Sequence, residues 1–231
     1  MMDAMAKAPG EQPHDVTFDF RALSAREKYK LMIGTVVPRP IALVTTVDLS
    51  GRVNAAPFSF FNCLSADPPI LALGVENHPD MRFKDTGLNI RLTEVFTVNI
   101  VSHAIAEAMH VCGVAFPPEH DELQAAGLTA MPGKTVASPW IKEAPAAFEC
   151  RRHLTLELGK SRQIILGEIL FAHYHSDVVD SDRLHIDPAK LDAIARLGGN
   201  TCSTIRDRFE MSTPTLEDLE AGGLGLPGRR P

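Results

Sequence analysis

The chain has 231 residues, of which 45% are hydrophobic and 23% are charged, as in an ordinary globular protein with one sizeable core. Its formal net charge of -6 argues against a general nucleic-acid surface or an anionic-membrane surface. No apolar stretch is long enough to span a membrane, and residues 1–15 lack the apolar core of a signal peptide. We therefore expect a cytoplasmic protein without nucleic-acid or membrane partners.

The cysteines are consistent with that compartment. Cys63, Cys112, Cys150 and Cys202 are widely spaced and include no C-x-x-C pair. This spacing is typical of reduced, buried or half-buried thiols, and it does not indicate a disulfide framework or a zinc site.

Composition divides the chain into one domain with two extensions. Residues 1–15 combine proline, glycine and charges without periodicity, which predicts a loose arm. Residues 213–231 end in GGLGLPGRRP, which is too rich in glycine and proline to fold alone. Residues 16–212 show no internal repeat and no regular βαβ alternation, so we expect a single domain that is mainly β with short helices.

The first elements along the chain are a short helix and a hairpin. Ser24 is a good N-cap for a helix over Ala25–Leu31. Ile41–Val47 and Val53–Phe61 predict two strands joined by a tight turn at residues 48–51. Small and polar residues replace bulky ones inside both strands, which makes the hairpin a candidate wall of a ligand site. The polar ones are Thr45, Thr46, Asn54, Ser59 and Asn62.

Periodicity predicts the remaining elements. Strands are expected at Ile70–Val75, Val95–Val101, Ala146–Leu158 and Gln163–His175, and helical segments at Met81–Leu92, Ser102–Val111, Asp121–Ala126 and after Pro188. Residues 127–145 are rich in proline, glycine and lysine and predict a loop. Ala146–Leu158 alternates between apolar and polar residues as a half-buried strand does. Gln163–His175 is more apolar along its length, so we expect it to be covered on both faces.

Lys84, Asp85 and Thr86 stand at the start of a predicted helical segment. A helix start presents unpaired N–H groups and a partial positive charge, so a phosphate is favoured there. From the residues alone, a solvated lysine and an ordinary capping threonine explain the pattern more simply.

An ordered set of short motifs resembles the flavin reductase-like family of FMN-binding split barrels. The motifs are PRPIALVTT, DLSG, NAAPFSFFN and DPP between residues 38 and 69, K-D-T at 84–86, N-I at 89–90, FTVN at 96–99, G-E at 167–168 and A-R-L-G-G at 195–199. No motif is specific alone, but their order is, and the similarity covers roughly residues 30 to 212. The chain is most similar to the branch of flavoredoxin and the reductase component of nitrilotriacetate monooxygenase.

The resemblance implies a homodimeric split β-barrel of Greek-key type. It implies a flavin reductase that passes hydride from NAD(P)H to FMN and electrons on to free flavin or a partner oxygenase. The chain has no G-x-G-x-x-G motif, so the nicotinamide nucleotide would bind without a Rossmann domain. Two alternatives stay open: an FMN electron-transfer protein of flavoredoxin type that a protein partner reduces, and a non-catalytic split-barrel binding module.

The resemblance also implies a cofactor site. K-D-T would bind the FMN phosphate, Ser59 the phosphate or the ribityl chain, and the threonines with the Phe60–Asn62 backbone the polar edge of the ring. The expected cofactor-binding residues are Arg39, Thr45, Thr46, Ser59, Phe60, Phe61, Asn62, Lys84, Asp85, Thr86 and Asn89. The catalytic residues stay unassigned, with His175 and Arg196 as pocket candidates.

Two further features have competing interpretations. His173 and His175 share one strand face, but no third ligand accompanies them, so we expect no metal and infer that one of them lines the flavin pocket. Arg196 precedes the flexible corner Leu197–Gly199, which is either a lip over the ring or a simple turn. Phe58, Phe60 and Phe61 put aromatic rings on both sides of the second strand, and this supports a large apolar dimer interface.

Overall fold

The computed structural model describes residues 15–117, 120–159 and 161–217. Residues 1–14 of the predicted arm and residues 218–231 of the predicted tail lie outside the described residues. Short helices and strands of unequal length alternate along the described chain. The helices are α1 Ala25–Thr35, α2 Asp85–Thr93, α3 Ala106–Val111, α4 Glu122–Ala126 and α5 Pro188–Leu191, with a 3₁₀ turn at His103–Ile105.

The strands range from two to thirteen residues in length. They are β1 Arg39–Pro40, β2 Ala42–Val47, β3 Val53–Phe58, β4 Phe61–Ala66, β5 Pro69–Glu76, β6 Val95–Ile100, β7 Ala130–Met131, β8 Trp140–Ile141, β9 Ala146–Leu158, β10 Arg162–Tyr174, β11 Val179–Asp180, β12 His185–Ile186, β13 Ile194–Arg196 and β14 Cys202–Thr204. The expected class, mainly β with short helices, is confirmed.

Seven strands form the main sheet in the order β3-β2-β6-β9-β10-β5-β4, and every neighbouring pair is antiparallel. β3 and β4 follow each other in sequence but occupy opposite edges, and no ladder joins them among the described strands, so the sheet is not closed. A second sheet, in the order β1-β13-β14, places Arg39 beside Arg196.

The predicted strand Val53–Phe61 is confirmed over Val53–Phe58, but the chain then leaves β3 at Ser59 and crosses to the other edge of the sheet. β4 then pairs with β5. The Phe60 carbonyl accepts a hydrogen bond of 2.7 Å from the Gly74 N–H, which fixes the crossing against β5. A Cβ on Gly74 would lie 2.9 Å from Phe60 Cβ, so only glycine allows this approach.

Two apolar clusters cover the two faces of the central strands. Leu43 packs with α3 and α4 on one face, and its neighbour Val44 packs with Phe96 on the other, as the alternation of a strand requires. β2 is buried along its whole length. Gly167 lies so close to Phe96 that a Cβ would come within 2.2 Å of the ring, so this position of the G-E motif accommodates a core aromatic side chain.

The sequence predicts the start of α1 correctly but not the start of α2. The Ser24 cap is confirmed, since Ser24 and Glu27 form a capping box, and the helix continues to Thr35. The predicted start of α2 at Met81 is wrong: Met81 adopts a φ of 70°, and Asp80 pairs with Arg82. None of the described helices combines the length and apolar character that a membrane crossing needs.

Three surface expectations also differ. Residues 127–145 are not all loop, because β7 and β8 pair within them. β10 is not covered along both faces within one chain, since Phe171 and Tyr174 are 42% and 39% exposed. The four thiols are free, as expected, but Cys63 and Cys202 are exposed rather than buried.

Candidate functional site

An open groove follows the outer edge of β3. In the described fold β3 pairs only with β2, so no other strand is hydrogen-bonded to its second edge. Two cavities adjoin along this edge and share Pro57, Phe58, Gly113 and Val114 as lining residues. We name them by their basic residues: the lysine recess, of about 290 Å³ beside Lys84, and the arginine recess, of about 350 Å³ beside Arg196.

The start of α2 forms one end of the lysine recess. Lys84 is the N-cap residue, and no side chain caps the first N–H groups of the helix. Within the described chain, no carboxylate lies within 4 Å of the Lys84 ammonium. The Thr86 hydroxyl accepts a 3.0 Å hydrogen bond from Asn54 Nδ2, and its own proton has no acceptor among the described residues. These groups together suit an anion.

A buried amide network holds α2 against the hairpin. The Thr46 hydroxyl accepts hydrogen bonds from Asn89 Nδ2 at 3.0 Å and from Asn54 Nδ2 at 3.3 Å. Asn54 also reaches Thr86, so three elements meet at one set of amides. Thr46 and Asn89, two of the predicted site residues, therefore fix the recess from behind.

The backbone of β3 supplies the wall of the groove. Its Ala55 N–H donates a 3.2 Å hydrogen bond to Glu122 Oε2, which shows that this N–H points away from β2. In an antiparallel pair, outward groups recur every second residue, so the Ala55 and Pro57 carbonyls also face the groove. Proline fits position 57 because its missing N–H would lie on the unpaired edge.

Glu122 brings negative charge to the lysine recess. Burial raises the pKa of its carboxyl group, and the charges of Asp121 and Asp85 raise it further against the hydrogen bond from Ala55. Cys112 lines the same recess, and burial followed by the charge of Glu122 raises the pKa of its thiol to about 11. That thiol is therefore protonated near neutral pH.

The arginine recess is built from three separate elements. Tyr29 comes from α1, His110 from α3 and Arg196 from β13. Arg196 Nη2 donates a 2.8 Å hydrogen bond to the Gly199 carbonyl, which anchors its guanidinium at the corner. No acidic side chain is found among the described residues that line this recess.

Arg39 holds the far wall of the groove. Although it is buried, it donates hydrogen bonds to the carbonyls of Ile33, Val36 and Leu197 at 2.6, 2.7 and 3.0 Å. It therefore ties the end of α1 to the corner that follows Arg196, and its cation suits the negative end of the helix dipole. Its Nε lies 3.5 Å from Ser59 Oγ. Arg39 therefore fixes the segments around the groove and is not a main part of the groove's surface.

The predicted site residues fall into separate groups. The lysine recess brings together Lys84, Asp85 and Thr86, and the arginine recess brings together Ser59 and Arg196. Arg39, Phe60, Phe61 and Asn62 instead line an apolar cavity of about 510 Å³ on the other side of Ser59. Thr45 is buried, and its hydroxyl donates to the Pro139 carbonyl.

The two histidines lie outside the groove. His173 Nε2 is 2.6 Å from Glu149 Oε1, and its ring stacks on Trp140 with centroids 4.7 Å apart. His175 Nε2 is 2.8 Å from the Lys142 carbonyl. Neither is among the residues that line the two recesses, and the inference that one of them lines the flavin pocket stays a prediction. The described chain holds no cluster of three or more potential metal ligands.

The residues that form the other wall of the groove were not predicted from the sequence. Tyr29, His110 and Glu122 reach it from helices that carry no recognisable motif. The signal for the groove itself was present: Pro57 inside an apolar strand indicates an edge strand, whose free backbone is open to a ligand.

Comparison with known proteins identifies the class. Residues 33–190 match the flavin reductase-like domain. A Deinococcus radiodurans protein of unassigned function is 42% identical over 204 residues, which cover 86% of this chain and 89% of that protein. Among solved structures, 2-nitrobenzoate 2-nitroreductase of Pseudomonas fluorescens is 35% identical with a TM-score of 0.79, over 87% of this chain and 98% of that one.

Component B of nitrilotriacetate monooxygenase from Bacillus cereus is also similar. It is 26% identical with a TM-score of 0.83, over 87% of this chain and its own full length. The chain thus belongs to the flavin reductase-like family of oxidoreductases, and the branch expected from its motifs is confirmed.

Proposed function

We propose that the chain is an FMN-dependent NAD(P)H oxidoreductase that holds its flavin along the free edge of β3. The observation that carries the proposal is the continuous groove with an anion site at one end and a recess at the other. Lys84, the uncapped N–H groups of α2 and the Thr86 hydroxyl would bind the phosphate.

The same edge suits the rest of the cofactor. The isoalloxazine ring has one rim of donors and acceptors, and the Pro57 carbonyl and the Ser59 hydroxyl lie where that rim would meet the chain. Gly113 and Val114 would form the opposite wall. When bound, a flavin accepts a hydride from a reduced nicotinamide and passes electrons to an acceptor.

The charge beyond the phosphate end favours FMN over FAD. The next cavity, which shares Asp85 and Glu122 with the lysine recess, is also lined by Asp48. Its Arg52 is already paired with Asp48 at 2.8 Å. The second phosphate of FAD would therefore meet carboxylates, which repel it, whereas FMN ends before them.

The relatives support the reaction type. One is named a nitroreductase and another a component of a monooxygenase. By analogy, electrons from this chain would pass to a partner oxygenase, to free flavin or to a small organic acceptor. In the electron-carrier alternative, a protein partner reduces the flavin in place of a nicotinamide. In the binding-module alternative, no flavin chemistry occurs.

Anaerobic stopped-flow absorbance distinguishes these functions. FMN-loaded protein is mixed with NADH, with NADPH or with a reduced ferredoxin, and the visible flavin band is followed. We expect bleaching by at least one nicotinamide, well above the rate for free FMN. Bleaching by ferredoxin alone would establish the electron carrier, and failure to retain FMN would leave the binding module.

We also propose that the chain works as a homodimer. The outer face of the sheet carries the exposed side chains of Leu154, Leu156 and Leu158, in register with the half-buried Leu166 and Ile164 of β10. Monomers rarely expose an apolar patch of several strands, and a second copy related by a twofold axis is the commonest cover.

A further inference from the structure

The arginine recess lies where it would face the flavin ring. A strand rises about 3.3 Å per residue, so Asn54 and Phe58 lie roughly 13 Å apart along β3, a length on the scale of an extended FMN molecule. With its phosphate at Lys84, FMN would place its ring beside Pro57 and Phe58, which line both recesses. The rest of the arginine recess would then open over the ring.

The charge of the recess is positive in an acidic protein. The chain carries a formal net charge of -6, yet Arg196 has no carboxylate within 4 Å among the described residues. Its known contacts are neutral: the Gly199 carbonyl at 2.8 Å and the Cys202 sulfur at 3.9 Å. A guanidinium without an acidic partner has donors for a carboxylate, which it binds through paired hydrogen bonds.

The shape of the recess suits a flat molecule. Tyr29 and Phe58 provide aromatic surface, and Met109 and Ile41 provide apolar surface. Gly198 approaches α1 so closely that a Cβ on it would lie 3.2 Å from Gly34 Cα, which fixes the distance between the helix and the corner. An aromatic ring has faces to stack against these walls.

We propose that the arginine recess binds the electron acceptor of the flavin and that this acceptor is a planar aromatic carboxylate. The proposal rests on the proposed function, because it needs FMN along β3. The acceptor must also carry a reducible substituent, because a benzoate ring alone accepts no electrons. For a nitro group, NAD(P)H gives up a hydride, solvent gives one proton, one N–O bond breaks and its oxygen leaves as water, so that the group becomes nitroso. Arg196 binds the carboxylate, and the apolar walls hold the ring over the flavin.

The test is a binding titration with benzoate and benzamide. They share one ring and differ in charge, and neither is reduced, so binding is separated from turnover. FMN-loaded protein is titrated, and the visible flavin spectrum is followed. Benzoate should perturb the spectrum to saturation, with benzamide at least about tenfold weaker, the effect of about 1.4 kcal/mol. Equal affinity for the two compounds would overturn the proposal.

Variants assign the effect to one side chain. Arg196→Gln should weaken benzoate at least about tenfold and leave benzamide unchanged, and Arg196→Lys should retain part of the affinity. Arg183→Gln, an exposed arginine outside the recess, is the control for net charge and should change neither value. Loss of benzoate binding in the control as well would show a general charge effect and would overturn the assignment.

The outcomes separate this proposal from the proposed function. Absence of FMN binding in the wild-type protein would overturn the proposed function itself. Normal FMN binding and normal reduction by NADH, with no preference for benzoate, would overturn only the acceptor proposal. If Arg196→Gln raised the KM for NADH tenfold and left benzoate unchanged, Arg196 would serve the nicotinamide nucleotide instead.

Discussion

At the scale of single residues, we expect the charge of Lys84 to decide whether the groove binds a phosphate. It lines the lysine recess together with Asp85 and Glu122, and no carboxylate lies within 4 Å of its ammonium group in the described chain. Lys84→Ala should weaken FMN by about 1.5–3 kcal/mol, the scale of one lost charge-assisted hydrogen bond. The affinity for riboflavin, which has no phosphate, should not change in this variant.

Fluorescence titration of both flavins measures this difference. Lys190→Ala, in α5 and outside both recesses, is the matched control and should leave both affinities unchanged. An equal loss for riboflavin and FMN in Lys84→Ala would contradict the phosphate assignment.

Glu122 should oppose the same phosphate. Glu122→Gln removes a negative charge from the lysine recess while its amide oxygen can still accept from the Ala55 N–H. We expect FMN to bind roughly 2–10-fold more tightly, the range for one repulsive charge removed from a partly screened site. The affinity for FAD should rise by at least as much, because Glu122 also lines the next cavity, beside Asp48.

Isothermal calorimetry with both flavins tests this prediction. Glu107→Gln, on an exposed position of α3, is the control for net charge and should change neither affinity. Weaker FMN binding by Glu122→Gln would mean that the carboxylate is needed by the cofactor and would contradict this account.

At the scale of elements, the buried polar residues of β2 and β6 hold a distant segment. Thr45 donates to the Pro139 carbonyl, Thr97 Oγ1 lies 3.0 Å from the Ser138 carbonyl, and Asn99 Oδ1 accepts from the Ile141 N–H at 2.8 Å. Each partner lies far away in sequence. A buried polar side chain in a strand therefore indicates that a partner exists, but the sequence does not say whether it is a ligand or a loop.

Local and long-range features differed in what the sequence could predict. K-D-T at a helix start was predictable because the N–H groups and the hydroxyl belong to one short segment. The crossing at Ser59 was not, because Phe60 is placed by Gly74 of β5, and pairing across strands cannot be deduced from local pattern. For the same reason Tyr29 and His110 could not be assigned to the groove.

The loop before β8 is fixed by a buried carboxylate. Glu149 accepts hydrogen bonds from the N–H groups of Lys134, Thr135 and Val136 at 2.6, 2.7 and 3.1 Å, and His173 lies 2.6 Å away. Burial alone would raise the pKa of Glu149, but the hydrogen bonds, led by that from the Lys134 N–H, lower it to about 2. The loop is therefore held by the ionised form of the Glu149 carboxyl group.

Replacing this carboxylate should give a pH-dependent loss of stability. Glu149→Gln leaves N–H donors unsatisfied and should lower the free energy of unfolding by about 2–4 kcal/mol near neutral pH. A lowered pKa stabilises the fold above the ordinary value of 4.5, and this stabilisation is lost as pH falls towards about 2.

Urea denaturation of both proteins at about pH 7 and about pH 3.5 measures the effect. The deficit of the variant should shrink at the lower pH. Glu157→Gln, which removes one partner of an exposed ion pair with Arg91, should cost less than about 1 kcal/mol. An equal deficit for Glu149→Gln at both pH values would contradict the assigned ionisation.

At the scale of the whole molecule, the apolar outer face of β9 and β10 predicts a homodimer. Leu154, Leu156 and Leu158 are 45%, 44% and 49% exposed in one chain. An obligate interface buries more than about 2,000 Å² in total, and a face of several strands can supply that area. Light scattering should give twice the chain mass, and Leu156→Lys should shift it towards one chain mass.

A control in the turn between β2 and β3 keeps this result specific. Leu49→Lys introduces the same charge at an exposed turn and should leave the mass at that of a dimer. A wild-type monomer that binds FMN with full affinity would contradict the proposed assembly.

The central claim is that FMN lies along the free edge of β3, and a crystal structure of the FMN-loaded protein tests it most directly. The account predicts the phosphate within hydrogen-bond distance of Lys84 Nζ and Thr86 Oγ1, and the ring beside Pro57. Electron density for the ring in the apolar cavity between Met32 and Phe60 would contradict the account.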